Sequence, residues 1–205
     1  MKVLLINGSP KANGCTFTAL SEVSKALESE GIETTIFHIG NDYIHGCVGC
    51  GGCKKLGKCV FDDRLNEVIE LAKEADGFVF GSPVYYASPN GAMISFLDRM
   101  FTAVPNLSHK PGAVVVSARR AGTTASIDVL QKYFTIRNMP LVSSSYWPMV
   151  HGSSPEDVAK DLEGLQIMRG IGRNMAWLLK CINAGKEAGI DTPVPETPVK
   201  TNFIR

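Results

Sequence analysis

The 205-residue chain has no long run of charge of one sign: 21 lysines and arginines stand against 20 aspartates and glutamates, for a formal net charge of +1. That balance argues against nucleic acid or an anionic membrane as a partner, since both are held largely by excess positive charge. No apolar run reaches membrane-spanning length, and the N-terminus enters a strand-like run without the basic and apolar segments of a leader, so a cytoplasmic location is expected. In that compartment the six cysteines are expected as thiols, metal ligands or redox groups rather than as a disulfide framework. No internal repeat, low-complexity tract or linker divides the chain. Residues 1–189 read as one domain, with a cysteine-rich insert at 46–60, and the proline-rich 190–205 as an extended tail. The four histidines, His38, His45, His109 and His151, form no metal spacing and are assigned no chemistry.

Two familiar phosphate motifs are also missing. Gly8 and Gly14 are separated by five residues and followed by Cys15-Thr16, so the G-x-x-x-x-G-K-[ST] loop and its lysine are absent. There is no G-x-G-x-x-G, and no acid closes the second strand to meet a ribose, which argues against a dinucleotide on the first helix. What stands there instead is a strand (Lys2 to Ile6), a breaking loop (Asn7-Gly8-Ser9-Pro10) and a helix start near Cys15. A Gly/Ser loop feeding a helix leaves N–H groups and the hydroxyls of Ser9, Thr16 and Thr18 around one concavity, where the helix dipole favours an anion. A single monophosphate fits this loop better than a pyrophosphate; a capped surface turn is the plain alternative.

Further along, helical stripes alternate with short apolar runs. Helices are expected over residues 16–30, from 62 onward, over 90–104, 123–137 and from 154 to about 188; strands over 2–6, 32–39, 77–81, 113–117 and 141–145. Ser154-Pro155-Glu156-Asp157 has the cap, proline and acids that open a last helix or helix pair. Continuous rather than alternating apolar strands, each followed by a helix, predict an α/β fold: a doubly wound five-stranded parallel sheet with helices on both faces. Ligands of such sheets bind beyond the carboxyl ends of the strands. After the third strand, Pro83 and Pro89 stiffen a segment in which Tyr85 and Tyr86 offer aromatic faces; after the fourth, residues 117–124 are rich in small residues and donors. A planar heterocycle carrying a phosphate would touch all three loops.

The stretches GSPKANGCT, GSPVYYASPNGAMISFLDR and SARRAGTT resemble the flavodoxin-like NADPH-dependent FMN reductase family, in particular its iron–sulfur flavoprotein branch, over roughly the first 150 residues. The resemblance implies that Ser9, Lys11, Asn13, Cys15 and Thr16 surround the FMN phosphate. It places Pro83, Val84, Tyr85 and Tyr86 along the isoalloxazine ring, and Ser117, Ala118, Arg119, Arg120, Gly122 and Thr123 at its polar edge. Cys15 stands where such loops more often carry Asn. It implies an NAD(P)H-dependent FMN oxidoreductase; because the flavin carries the chemistry, no side chain is assigned as a catalytic acid or base. The alternative is a non-enzymatic flavodoxin-like electron carrier.

Cys47, Cys50, Cys53 and Cys59 follow the spacing C-x2-C-x2-C-x5-C, in which a short glycine-rich loop can supply all four ligands of a [4Fe–4S] cluster. Structural zinc more often takes two separated pairs; a metal-free lid of reduced thiols is the third reading. The expected partners are NAD(P)H and an unidentified electron acceptor. The apolar bulk of Trp147, Met149, Met168, Met175 and Trp177 is either core or the interface of a homodimer or homotetramer.

Overall fold

A computed structural model describes residues 1–197, 199 and 201. The chain order is β1 (Lys2–Asn7), α1 (Cys15–Ser29), β2 (Glu33–His38), α2 (Gly52–Leu56), α3 (Leu65–Glu74), β3 (Gly77–Tyr85), β4 (Ser88–Pro89) and α4 (Gly91–Ala103). Then come β5 (Gly112–Ala118), α5 (Thr123–Thr135), β6 (Met149–His151), α6 (Pro155–Val158) and α7 (Leu162–Glu187). Five strands pair in parallel in the order β2-β1-β3-β5-β6, and β4 folds back on the end of β3 as an antiparallel hairpin arm.

The apolar runs form central strands because both of their faces are covered. Side chains alternate across a strand, and the two sets here enter separate cores. Leu4, Ile6, Phe78, Phe80, Val114 and Val116 pack with Leu65, Ile69, Met93, Phe96 and Phe134 of α3, α4 and α5. Val3, Leu5, Val79, Ala113 and Val115 pack with Leu20, Val23, Met168 and Met175 of α1 and α7. A strand apolar at every position is therefore what a doubly wound sheet requires.

One strand is displaced from its expected place. Leu141–Ser145 was expected as the fifth strand; instead Leu141 makes a single bridge to Gly112, and the parallel pairing is made by β6, which meets Val116–Ala118. Both short segments lie along the same edge of β5, the first at its start and the second at its end. An edge strand is bonded on one side only, so the sheet tolerates the looping out of the Ser143-Ser144-Ser145 run between them. Val150, fully buried, anchors the real strand, and the Pro148 carbonyl accepts from Val116 N–H at 3.0 Å.

The last helical region is a pair. Ser154 caps α6, with Pro155 in its first turn. Asp161 then caps α7 by accepting from Gly164 N–H at 2.9 Å and also accepts from His151 N–H at 2.7 Å, which ties the helix to β6. Of the tail, residues 190–197 carry no regular structure; positions 198, 200 and 202–205 fall outside the described residues. Among the described residues no helix is long and apolar enough to cross a membrane.

Candidate functional site

The loop between β1 and α1 is held by its own polar groups before any ligand is considered. Asn7, fully buried, donates from Nδ2 to Ala12 O at 3.0 Å and accepts at Oδ1 from Ser9 N–H at 3.0 Å. Ser9 Oγ accepts from Lys11 N–H at 3.1 Å, and His38 Nε2 lies 2.7 Å from Ser9 O, which makes that nitrogen the donor. Gly8 donates to Gly81 O at 2.8 Å; a Cβ at Gly8 would come within 2.7 Å of Met93 Sδ, so only glycine fits this approach.

The loop delivers an unsatisfied helix end. α1 begins after Gly14 with no side-chain cap and no acid in its first turn. Its first N–H groups have no intrahelical acceptor, and the dipole adds roughly half a positive charge there. This donor set suits a phosphate, and is the observation on which an FMN phosphate fits the chain. The hydroxyls behave differently from expectation. Thr18 Oγ1 is spent on Gly14 O at 3.2 Å, so it does not face the concavity. Thr16 Oγ1 and Ser117 Oγ, both buried, share a hydrogen bond of 2.8 Å; Thr16 thus joins the first loop to the loop after β5, and its backbone N–H remains at the helix end. Lys11 and Asn13 are exposed at the loop's rim. The Cys15 thiol contacts Gly152 O at 3.7 Å and is pushed up by burial, with its own backbone N–H and Lys11 opposing. That agrees with packing rather than with a reactive thiolate.

The loop after β3 is a tight hairpin in which Val84 pairs with Pro89 and Tyr85 with Ser88. Its two turn residues, Tyr86 (φ 51°) and Ala87 (φ 58°), are both left-handed without being glycine, a backbone that costs free energy and persists where surroundings enforce it. Gly122 (φ 90°) supplies part of that enforcement: a Cβ there would lie 2.6 Å from Ala87 Cα and 2.9 Å from Val84 Cγ1. The loop after β5 is therefore pressed against the hairpin. Tyr86 is fully exposed and Tyr85 46% exposed, forming an open shelf beside half-buried Pro83 and Val84. Ser117, Ala118 and Thr123 are buried, while Arg119 and Arg120 are exposed; Arg120 O lies 3.1 Å from His151 Nε2.

Asn90 fastens these parts together. It caps α4 by accepting from Ala92 N–H at 2.9 Å, donates from Nδ2 to Gly8 O at 2.9 Å, and its own N–H donates to Ser82 Oγ at 3.0 Å. Sequence reasoning missed Asn7, His38, Ser82 and Asn90: His38 and Asn90 meet backbone groups far away in the chain, and the bonds of Asn7 and Ser82 depend on loop shapes that local pattern does not record. Asn90, expected as the first residue of a helix over 90–104, is instead its N-cap.

A second site lies along the far half of α4. The segment 46–60 wraps the helical turn α2, with left-handed glycines at Gly49, Gly51 and Gly57. Cys47, Cys50, Cys53 and Cys59 all line one cavity of about 190 Å3, closed by Phe61, Arg99 and Thr102 among others. The thiols frame this space without converging on one point: among the described residues no three His, Cys, Asp or Glu side chains are placed to hold a single metal ion. Asn66 holds the loop end, accepting from Cys59 N–H at 2.8 Å and donating to Cys59 O and Phe61 O. Arg99, 2% exposed, like Asn66, is a residue that sequence reasoning did not single out. Burial pulls its guanidinium down, but hydrogen bonds to Asp63 and Cys59 more than reverse this and raise it.

The profile of the NADPH-dependent FMN reductase family matches residues 1–154. The chain belongs to that family. It is accordingly an NAD(P)H-dependent flavin oxidoreductase that uses FMN, which answers the electron-carrier alternative. An iron–sulfur flavoprotein of Methanocaldococcus jannaschii is 33% identical over 192 residues, covering 89% of this chain and 99% of the relative. In shape, RosB with a bound riboflavin-phosphate intermediate matches at a TM-score of 0.69 and 14% identity, over 100% of this chain and 94% of that one. A flavodoxin from the domain Archaea matches at 0.58 and 17% identity, over 88% and 99%. The second likeness shows the flavodoxin-like fold.

Proposed function

We propose that this reductase holds FMN in the three loops at the carboxyl ends of β1, β3 and β5, and passes electrons by way of the four-cysteine site to an acceptor of a kind yet to be identified. The observation that carries the flavin assignment is the uncapped N-terminus of α1, set beside a loop already fixed by Asn7, Ser9 and Asn90. Ser9, Lys11, Asn13, Cys15 and Thr16 would hold the phosphate chiefly through N–H groups and rim donors. Pro83 to Tyr86 would give the ring its wall. Residues Ser117 to Thr123 would meet its polar edge, with Arg119 and Arg120 at the mouth supplying charge to attract the phosphates of NAD(P)H. When bound, FMN supplies a hydride acceptor and an iron–sulfur cluster a one-electron relay. The chain's own task is to fix both groups, keep the loops rigid and leave the ring face open to a second substrate.

Cys47, Cys50, Cys53 and Cys59 would hold a [4Fe–4S] cluster. Support comes from their common cavity: a zinc ion needs its sulfurs at about 2.3 Å from one point, whereas a cluster takes each thiolate at a different corner. The naming of the relatives as iron-sulfur flavoproteins agrees. Residues 1–189 would act as one domain, in a homodimer or homotetramer that covers Tyr146, Trp147 and Trp177, each more than half exposed.

An absorption spectrum of protein purified without oxygen, with iron and sulfide analysis and then NADPH addition, tests the reading. FMN near one per chain, about four irons and bleaching by NADPH alone are expected. Absence of FMN that cannot be restored refutes the flavin site; stoichiometric zinc, or no metal, refutes the cluster.

A further inference from the structure

A buried arginine needs partners for its charge, and Arg99 uses every N–H it has. Nη1 donates to Asp63 Oδ2 at 2.6 Å and to His45 O at 3.4 Å; Nη2 donates to Asp63 Oδ1 at 2.9 Å. The remaining two donors point at one sulfur: Nη2 lies 3.1 Å and Nε 3.3 Å from Cys59 Sγ. The guanidinium also sits 5.2 Å from the centre of the Phe61 ring. A guanidinium carries five donors, and all five are committed here.

That two of them meet a sulfur is the informative part. A neutral thiol is a weak acceptor, so a purely structural arginine gains little by this choice, while a thiolate bound to metal makes a charge-assisted pair. The other three cysteines differ. Cys47 and Cys50 are exposed, and the polar contact of Cys53 is with Thr102 O at 3.7 Å, an acceptor rather than a donor.

Resting on the cluster reading above, we propose that Arg99 is a positioning residue that sets the reduction potential of the group held by the four cysteines, acting through Cys59 Sγ, with Asp63 as the counter-charge that limits its effect. Reduction adds one negative charge to that group. A fixed cation donating two hydrogen bonds to one ligand favours the reduced form, because such bonds and local net charge are what tune these potentials. Loss of the Arg99 charge lowers the potential. Neutralising Asp63 unmasks Arg99 and raises it.

The test uses the full-length protein, loaded with FMN and iron under anaerobic conditions, in the wild-type form and as Arg99→Gln, Arg99→Lys and Asp63→Asn. Midpoint potentials are read by spectroscopic redox titration, beside iron, sulfide and FMN per chain. Arg99→Gln is expected to disfavour reduction at least tenfold, which is 59 mV for a one-electron couple. Arg99→Lys, which keeps the charge and loses the fork, is expected to shift less in the same direction, and Asp63→Asn in the opposite one. If Arg99→Gln does not retain iron, the opposed shifts of the other two variants decide. Unchanged midpoints in iron-loaded variants, or shifts of one sign in both Arg99→Lys and Asp63→Asn, overturn the role of Arg99 alone. A wild-type protein that takes up no iron overturns the cluster reading and this inference with it.

Discussion

Replacing Asn90 by Ala tests whether the loops proposed to hold FMN are fastened by one side chain. Two bonds are lost: the cap to Ala92 N–H and the donation to Gly8 O, while the backbone bond to Ser82 Oγ survives. An N-cap is worth about 1 kcal/mol, and leaving a buried carbonyl unpaired costs about 1–3 kcal/mol; Asn90 is 8% exposed and the Gly8 bond is buried. The sum, about 2–4 kcal/mol, corresponds to a fall in Tm of roughly 4–16 °C for a chain of this size. Urea unfolding of the FMN-free protein reads the stability, and quenching of flavin fluorescence reads the affinity. Asn90→Ser keeps the cap and loses only the Gly8 bond, so it is expected to recover about 1 kcal/mol of stability but little of the FMN affinity. If Asn90→Ala unfolds at the wild-type urea concentration, or Asn90→Ser is as stable as the wild type, Asn90 does not fasten the loops as described.

Cys15 gives a pH dependence. Burial holds its thiol above the ordinary value of 9.0, so its contribution to stability is fully present below about pH 9 and is lost as pH rises through the folded value, where the unfolded chain has already ionised. Unfolding curves of wild type and Cys15→Ser between pH 8 and 10 are expected to converge with rising pH; divergence would show the thiol is not buried in this way. Trp147 and Tyr146 stack edge to face with centroids 4.8 Å apart and are both more than half exposed. Trp147→Asp is expected to halve the mass measured by light scattering, and a wild-type monomer would remove the proposed assembly.

The fold was legible wherever burial on both faces imposed continuous apolar runs, as in Val3–Ile6, Phe78–Phe80 and Ala113–Val116. It was not legible at the sheet's edge. There Leu141-Val142 and Met149-Val150 are equally short, and the choice is made by contacts with β5 that local pattern does not record. The order strand, Gly/Ser turn, helix was readable at β1 and α1. The bracing of that turn was not, since Asn90 meets Gly8 82 positions away and His38 meets Ser9 across the β1–β2 edge. Arg99 did leave a signal: it falls three residues after Phe96, on the stripe of Met93, Phe96 and Met100 that faces the core. A charged residue in the apolar phase of a helix is either an error of phase or a buried ion with a partner, and its partners Cys59 and Asp63 come from a loop whose shape the sequence does not specify.

The two sites are supported by opposite ends of one element. Asn90 caps α4 at the loops proposed to hold FMN, and Arg99 lies nine residues further along, which at 1.5 Å per residue is about 13 Å. Between them Met93, Phe96 and Leu97 are fully or almost fully buried and face the core. Changes more than about 10 Å apart with no shared partner usually add, and the partners of Asn90 (Gly8, Ser82, Ala92) and of Arg99 (Cys59, Asp63, His45) do not overlap. The helix is therefore a spacer between two independently built sites. FMN content is then a sound measure of folding when the cysteine site is altered, and a loss of FMN in Arg99→Gln would mean that α4 itself had shifted.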